Sequence, residues 1–274
     1  MPAVVVIAPG STYSPGMDLR LDGKVALVTG GSRGIGRSIA AAFAASGARV
    51  MIASRKADSC EEAAADIGHD CRWFAANVGY PDQAEALVDH TLAELGGVDI
   101  LVNNAGANPY AGPTIDVDLA RWDKTIAVNM TAPLLLTQLC WRRYMQQAGG
   151  GCSIINISSV GGLTTSPQLG VYDVAKAGLI HLTKQLAAEL GPAVRVNCIA
   201  PGLIRTDFAR ILWEGERGGQ VAESYPMKRL GEADDIAACA TWLAADSGAW
   251  ITGQTIVLDG GGLVAFKILP GETA

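Results

Sequence analysis

Charged and aromatic side chains are scarce in this chain: 18% of its 274 residues are charged and 6% are aromatic, with only four phenylalanines. A formal net charge of −6 without any cluster of lysines and arginines excludes the electrostatic footprint of a nucleic-acid binder. No apolar run reaches transmembrane length, so no membrane partner is expected. The three histidines, His69, His90 and His181, lie far apart, and the six cysteines (Cys60, Cys71, Cys140, Cys152, Cys198 and Cys239) include no Cys-x-x-Cys. No metal site is expected from such isolated donors. The start of the chain has no basic region ahead of its short apolar patch, which reads against a secretory signal. Free thiols in a reducing cytoplasm are therefore expected rather than disulfides.

Glycine and apolar residues are abundant, with 33 glycines and 49% hydrophobic residues. That suits one large α/β domain with a substantial core. Residues 1–17, with Val4-Val5-Val6-Ile7-Ala8 followed by Pro9, Gly10, Pro15 and Gly16, read as a disordered or extended segment, with Met17 as an alternative start.

From residue 18 onward, strand and helix patterns alternate through short links. Lys24-Val25-Ala26-Leu27-Val28-Thr29 is a β-branched apolar run ending in Gly30-Gly31-Ser32-Arg33-Gly34-Ile35-Gly36, with Ile39 and Phe43 then at helical spacing. Strand, glycine turn and helix make the context of a dinucleotide-binding fingerprint, though Gly30, Gly34 and Gly36 are spaced G-x-x-x-G-x-G. Further strands are expected at 49–54, 71–78, 98–102, 153–159, 194–200 and 255–259. Helices are expected at 81–95, 122–144, 171–190 and 234–245, with Pro133 forcing an irregularity in the second of these. This alternation predicts an α/β doubly wound parallel sheet, a Rossmann fold, as a single domain over residues 18–262. Residues 263–274 form a tail whose Val264, Phe266, Ile268 and Leu269 are expected to dock on a neighbouring subunit.

The end of the second strand bears on cofactor choice. A carboxylate there would bind the 2′-hydroxyl of NAD, whereas this chain has Ser54, Arg55 and Lys56, with Arg33 inside the glycine turn. Guanidinium groups suit phosphate oxygens, so NADP(H) is preferred over NAD(H). The nearest carboxylate, Asp58, falls at an expected helix start where Ser59 and Glu62 have capping-box spacing.

Tyr172 and Lys176 stand four positions apart on one helix face, where a cation near a phenol favours the phenolate and makes tyrosine usable in proton transfer. With Thr29-Gly30, Gly34, Gly36, Asn103-Asn104-Ala105-Gly106, Asn129, Ser159, Pro201-Gly202, Thr206 and Leu258-Asp259-Gly260-Gly261, they make the chain resemble the short-chain dehydrogenase/reductase family, classical subtype, over about residues 18–262. The resemblance implies Tyr172 as general acid/base, with Lys176 binding the nicotinamide ribose and lowering the tyrosine pKa. It implies that Ser159, thirteen residues before the tyrosine, holds the substrate oxygen, and that Asn129 holds a water linking Lys176 to solvent. Ser158 is the neighbouring decoy, facing the opposite way along a strand. The cofactor would be lined by Gly30, Ser32, Arg33, Gly34, Ile35, Gly36, Ser54, Arg55, Asn77, Val78, Asn104, Ala105 and Gly106. Tyr172, Lys176 and the Pro201, Gly202, Ile204, Thr206 loop would complete that lining. Asn77 stands where relatives usually carry the aspartate that contacts adenine, so adenine recognition is expected to be weaker.

The substrate is a small carbonyl compound or alcohol. NADP-dependent carbonyl reductases acting on apolar ketones or aldehydes are the nearest likeness, with residues 208–213 as a substrate lid or an oligomer contact. 3-Oxoacyl-[acyl-carrier-protein] reductases are the alternative, for which Arg205, Arg210 and Arg217 would meet an acidic carrier. NAD-dependent sugar, polyol or steroid dehydrogenation comes third, and a non-catalytic binding protein is disfavoured by the intact Asn–Ser–Tyr–Lys set. Relatives are commonly homotetramers, and the helices at 122–144 and 172–190 would supply an interface.

Overall fold

The computed structural model describes residues 17–265. The expected N-terminal segment before residue 17 and the tail beyond residue 265 lie outside the described residues. Seven parallel strands form one sheet: β1 (Val25–Thr29), β2 (Arg49–Ser54), β3 (Arg72–Ala75), β4 (Ile100–Asn103), β5 (Cys152–Ile157), β6 (Val194–Pro201) and β7 (Thr255–Leu258). Their order is β3-β2-β1-β4-β5-β6-β7, so the winding reverses between β1 and β4. In such sheets the crevice at that reversal, beyond the carboxyl ends of the strands, is the ligand site.

The unbroken apolar runs of the strands have a physical cause. Ala26 and Val28 join one core with α1 (Gly34–Ala45), α2 (Ala57–Ile67) and α9 (Ala233–Ala244). Val25 and Leu27 join a second core with α3 (Pro81–Leu95), α5 (Ala132–Cys140) and α6 (Gly170–Leu190) on the opposite face. A strand covered on both faces has no polar side to alternate with.

One local expectation is corrected and another is met. Helix α2 starts at Ala57 with Lys56 as N-cap and no side-chain cap, so Ser59 and Glu62 lie inside the helix and form no capping box. Asp58 already occupies the first turn, where the helix dipole favours a carboxylate. The irregularity expected from Pro133 is present and is centred on Asn129, four residues before it, whose carbonyl the proline has no N–H to meet. Helix α4 (Leu119–Ile126) passes into a π-helical turn (Ala127–Thr131) before α5 resumes. Asn129 sits in that turn and donates its Nδ2 to the Thr125 carbonyl at 2.8 Å, a side-chain insertion of the kind that widens a helix. The less regular stretch after β6 forms two short helices, α7 (Arg210–Trp213) and α8 (Glu216–Ser224).

Candidate active site

The glycine turn follows β1 and is knitted to the end of β4. The Thr29 hydroxyl donates to the Val102 carbonyl at 3.2 Å and accepts the backbone N–H groups of Asn104 and Ala105 at 3.0 and 3.1 Å. Asn104 Nδ2 returns to the carbonyl of Thr29 at 2.8 Å. At Gly36 a Cβ would stand 2.4 Å from both Asn104 Nδ2 and the Gly30 carbonyl oxygen, so glycine is what lets the start of α1 come down on the turn. Thr206 lies over the same turn, its Cγ2 3.2 Å from where a Cβ on Gly34 would be, so the Pro201–Thr206 loop covers it. Ile204 beneath is buried. A dinucleotide's pyrophosphate fits this cradle on steric grounds, with α1 offering its N-terminus.

Beside the turn, a cavity of about 360 Å³ is lined by Ser32, Arg33, Arg37, Ser54, Arg55 and Lys56, with two acidic residues, Glu62 and Asp66, also in its wall. Arg37 escaped the sequence reading, although it stands one helical turn beyond Arg33. It is paired with Asp66 at 2.9 Å. Asn77 and Val78 lie just past the end of β3. Asn77 Oδ1 accepts the Gly79 N–H at 3.1 Å, which occupies part of its acceptor capacity, and Val78 is buried.

The residues expected to transfer the proton converge at the end of β5. Lys176 is 3% exposed, and its Nζ donates to the Ile157 carbonyl at 2.8 Å and lies 5.5 Å from the centre of the Tyr172 ring. Burial lowers its pKa to about 8. Ser159 caps the short 3₁₀ turn after β5, accepting the Gly161 N–H at 3.1 Å, and its hydroxyl draws the Tyr172 phenol toward lower pKa. Ser158 faces away, donating to the Lys176 carbonyl at 2.9 Å. Asn129 is fully buried. Its Nδ2 donates to the carbonyls of Ala107 and Thr125, and its Oδ1 accepts the Ala107 N–H at 3.3 Å. The side chain therefore holds the loop after β4 against the helix and keeps no free N–H for a water. Gly106 bridges the groups, since a Cβ there would stand 3.2 Å from Asn129 Oδ1 and 4.0 Å from Lys176 Nζ.

Burial pushes the Tyr172 phenol above its ordinary value, the Ser159 hydroxyl pulls it down, and the neighbouring Asp173 raises it further.

Over the site, the Phe208 ring stands 6.2 Å from that of Tyr172, and Trp213 donates its indole N–H to the Thr206 carbonyl at 2.9 Å. Arg205 lies over the Trp213 ring and pairs with Glu232 at 3.5 Å, and Arg210 pairs with Asp207. The Arg217 side chain lies outside the described residues.

A parallel sheet with a glycine turn at its switch point, and a Ser–Tyr–Lys group beside it, defines the class of nucleotide-dependent oxidoreductases. A family model described as enoyl-(acyl carrier protein) reductase matches residues 30–262. The chain is 41% identical over 255 residues to dehydrogenase/reductase SDR family member 4 of Homo sapiens, covering 90% of this chain and 91% of that protein. It is also 41% identical over 248 residues to D-threitol dehydrogenase of Mycolicibacterium smegmatis, covering 89% and 94%. The solved structure of a blue fluorescent protein from a metagenomic library in complex with NADPH superposes with a TM-score of 0.81 at 34% identity, covering 89% of this chain and 99% of that one. The chain belongs to the short-chain dehydrogenase/reductase family and is a NAD(P)-dependent oxidoreductase.

Proposed function

We propose that this enzyme exchanges a hydride between NADP(H) and an apolar ketone, aldehyde or secondary alcohol, with Tyr172 as the general acid/base. The observation that carries the reading is the buried Lys176, its Nζ donating to the Ile157 carbonyl at 2.8 Å and lying 5.5 Å from the centre of the Tyr172 ring, next to a glycine turn. Reducing a carbonyl needs a hydride on carbon and a proton on oxygen. The nicotinamide, when bound, supplies the hydride. Tyr172 delivers the proton, and in the reverse direction takes it back. The Ser159 hydroxyl and the phenol together hold the substrate oxygen and stabilise charge developing there. Lys176 keeps two N–H groups beyond the one given to Ile157, and these serve the nicotinamide ribose.

NADP(H) over NAD(H) is supported by the cavity at the end of β2, where Arg33, Arg55 and Lys56 carry no ion pair among the described residues. An apolar substrate is supported by the half-exposed Phe208 beside Tyr172. The carrier-protein reading is weakened because Arg205 and Arg210 are both paired. We read the enzyme as a cytoplasmic homotetramer, supported by the exposed Leu119, Met130 and Val174 on α4, the π turn and α6.

The test is consumption of NADPH and of NADH against apolar diketones, acetoacetyl thioesters and retinal-like aldehydes, with Tyr172→Phe and Arg55→Asp alongside. Turnover favouring NADPH is expected, abolished in Tyr172→Phe and shifted toward NADH in Arg55→Asp. Tight NADPH binding with no turnover on any substrate would overturn it.

A further inference from the structure

Asp173 follows Tyr172 in the first turn of α6, and its side chain is 6% exposed. Oδ2 accepts the Ser166 backbone N–H at 2.9 Å, which ties α6 to the loop that leads on from Ser159. Oδ1 is buried without a hydrogen-bond partner among the described residues. It faces Gly161, where a Cβ would stand 2.1 Å from it, so glycine alone lets the loop approach the carboxylate this closely. The same Gly161 donates its N–H to Ser159 Oγ. Asp173, Gly161 and Ser159 are thus one contiguous chain of contacts, and Tyr172 precedes Asp173 on the same helix.

The carboxylate has no lysine or arginine partner among the described residues. A buried carboxylate with one bare oxygen costs stability, and its position in the first helical turn offsets only part of that. Burial accordingly raises its pKa, against the Ser166 N–H, which lowers it. The charges near Tyr172 are few. Lys176 is on the same helix, and Cys198 of β6 acts on that lysine. In the covering segment, Asp207 and Arg210 neutralise each other.

We propose that Asp173 is a positioning residue for the reaction: it clamps the loop that carries Ser159 beside Tyr172 and sets a buried carboxylate next to that tyrosine. This rests on Tyr172 being the acid/base. Oδ1 is closed off from solvent, so Asp173 acts through Ser159 and Tyr172 and does not touch substrate.

Asp173→Asn keeps an acceptor for Ser166 and removes the charge, whereas Asp173→Ala removes both. In Asp173→Asn the acid limb of the alcohol-oxidation pH profile is expected to move to lower pH by roughly half a unit to one unit, because the phenolate forms more readily. In Asp173→Ala, kcat should fall and KM for the carbonyl substrate should rise about tenfold, the size of one hydrogen bond to a charged group, with NADPH binding unchanged. The asparagine variant should restore KM. Circular dichroism checks the fold, and if the alanine variant does not fold, the asparagine pH limb decides alone. An unmoved limb in Asp173→Asn, or wild-type kcat and KM in a folded Asp173→Ala, overturns the proposal. Tyr172→Phe separates the two readings, since wild-type turnover there defeats the acid/base assignment itself.

Discussion

Ser158 and Lys176 are bonded end to end: the Ser158 hydroxyl donates to the Lys176 carbonyl at 2.9 Å, while Lys176 Nζ donates to the carbonyl of Ile157, the residue before that serine. Both side chains are buried. The pair locks the first turns of α6 onto the end of β5, so the ammonium is held in place. Ser159, one residue on, is left to face the phenol.

Adjacent serines with opposite partners should answer mutation differently. Ser159→Ala is expected to lose about 100-fold or more in kcat, as removal of an oxyanion donor does. Ser158→Ala should keep most of the activity and lose about 1 kcal/mol of stability. Initial rates and denaturant titration measure the two effects, and equal activity losses would contradict the assignment.

Gly36→Ala places a methyl 2.4 Å from the Gly30 carbonyl oxygen. The variant should be destabilised by about 1–3 kcal/mol through overpacking. It should also lose affinity for NADPH. Thermal melting and fluorescence titration report each, and undiminished binding would show that the turn has slack.

Lys176 gives stability a pH signature. Its folded pKa is about 8 against an ordinary 10.5. Between those values the folded state holds fewer protons than the unfolded chain, so this group's contribution to stability rises with pH. The penalty of burying the ammonium applies in full below about 8 and is relieved toward 10.5. Relative to Lys176→Met, the wild type should therefore gain as pH is raised through that window, by up to roughly 3 kcal/mol. Denaturant melts at several pH values test this, and a flat difference would place the lysine in a wetter site.

Leu119 is 76% exposed and Val174 49%. Light scattering should find a tetramer, and Leu119→Asp combined with Val174→Asp should shift the mass toward smaller species. A wild-type monomer would exclude these helices as an interface.

The fold was legible because its signals are local and periodic. Apolar runs such as Val25–Thr29 flanked by glycine turns and amphipathic helices leave few topologies open, and right-handed crossovers reduce them further. Tyr172 and Lys176 were legible because helix periodicity puts them on one face, and Ser159 because the family resemblance implies a serine thirteen residues before the tyrosine. Ser158 was set aside by strand alternation, and its bond to the Lys176 carbonyl agrees.

What the sequence determined by itself, then, was the order of elements, the glycine turn and the group of side chains proposed to carry the chemistry. Tertiary structure alone decided how each of those groups is tuned. Asn129 spends its Nδ2 on Ala107 and Thr125, the disturbance of the helix by Pro133 takes the form of a π turn, and Tyr172 is pushed up in pKa by burial. Each outcome depends on which backbone groups and how much solvent surround a side chain. Those surroundings are assembled from segments far apart in the chain, as when Gly161 and Ser166 close over Asp173.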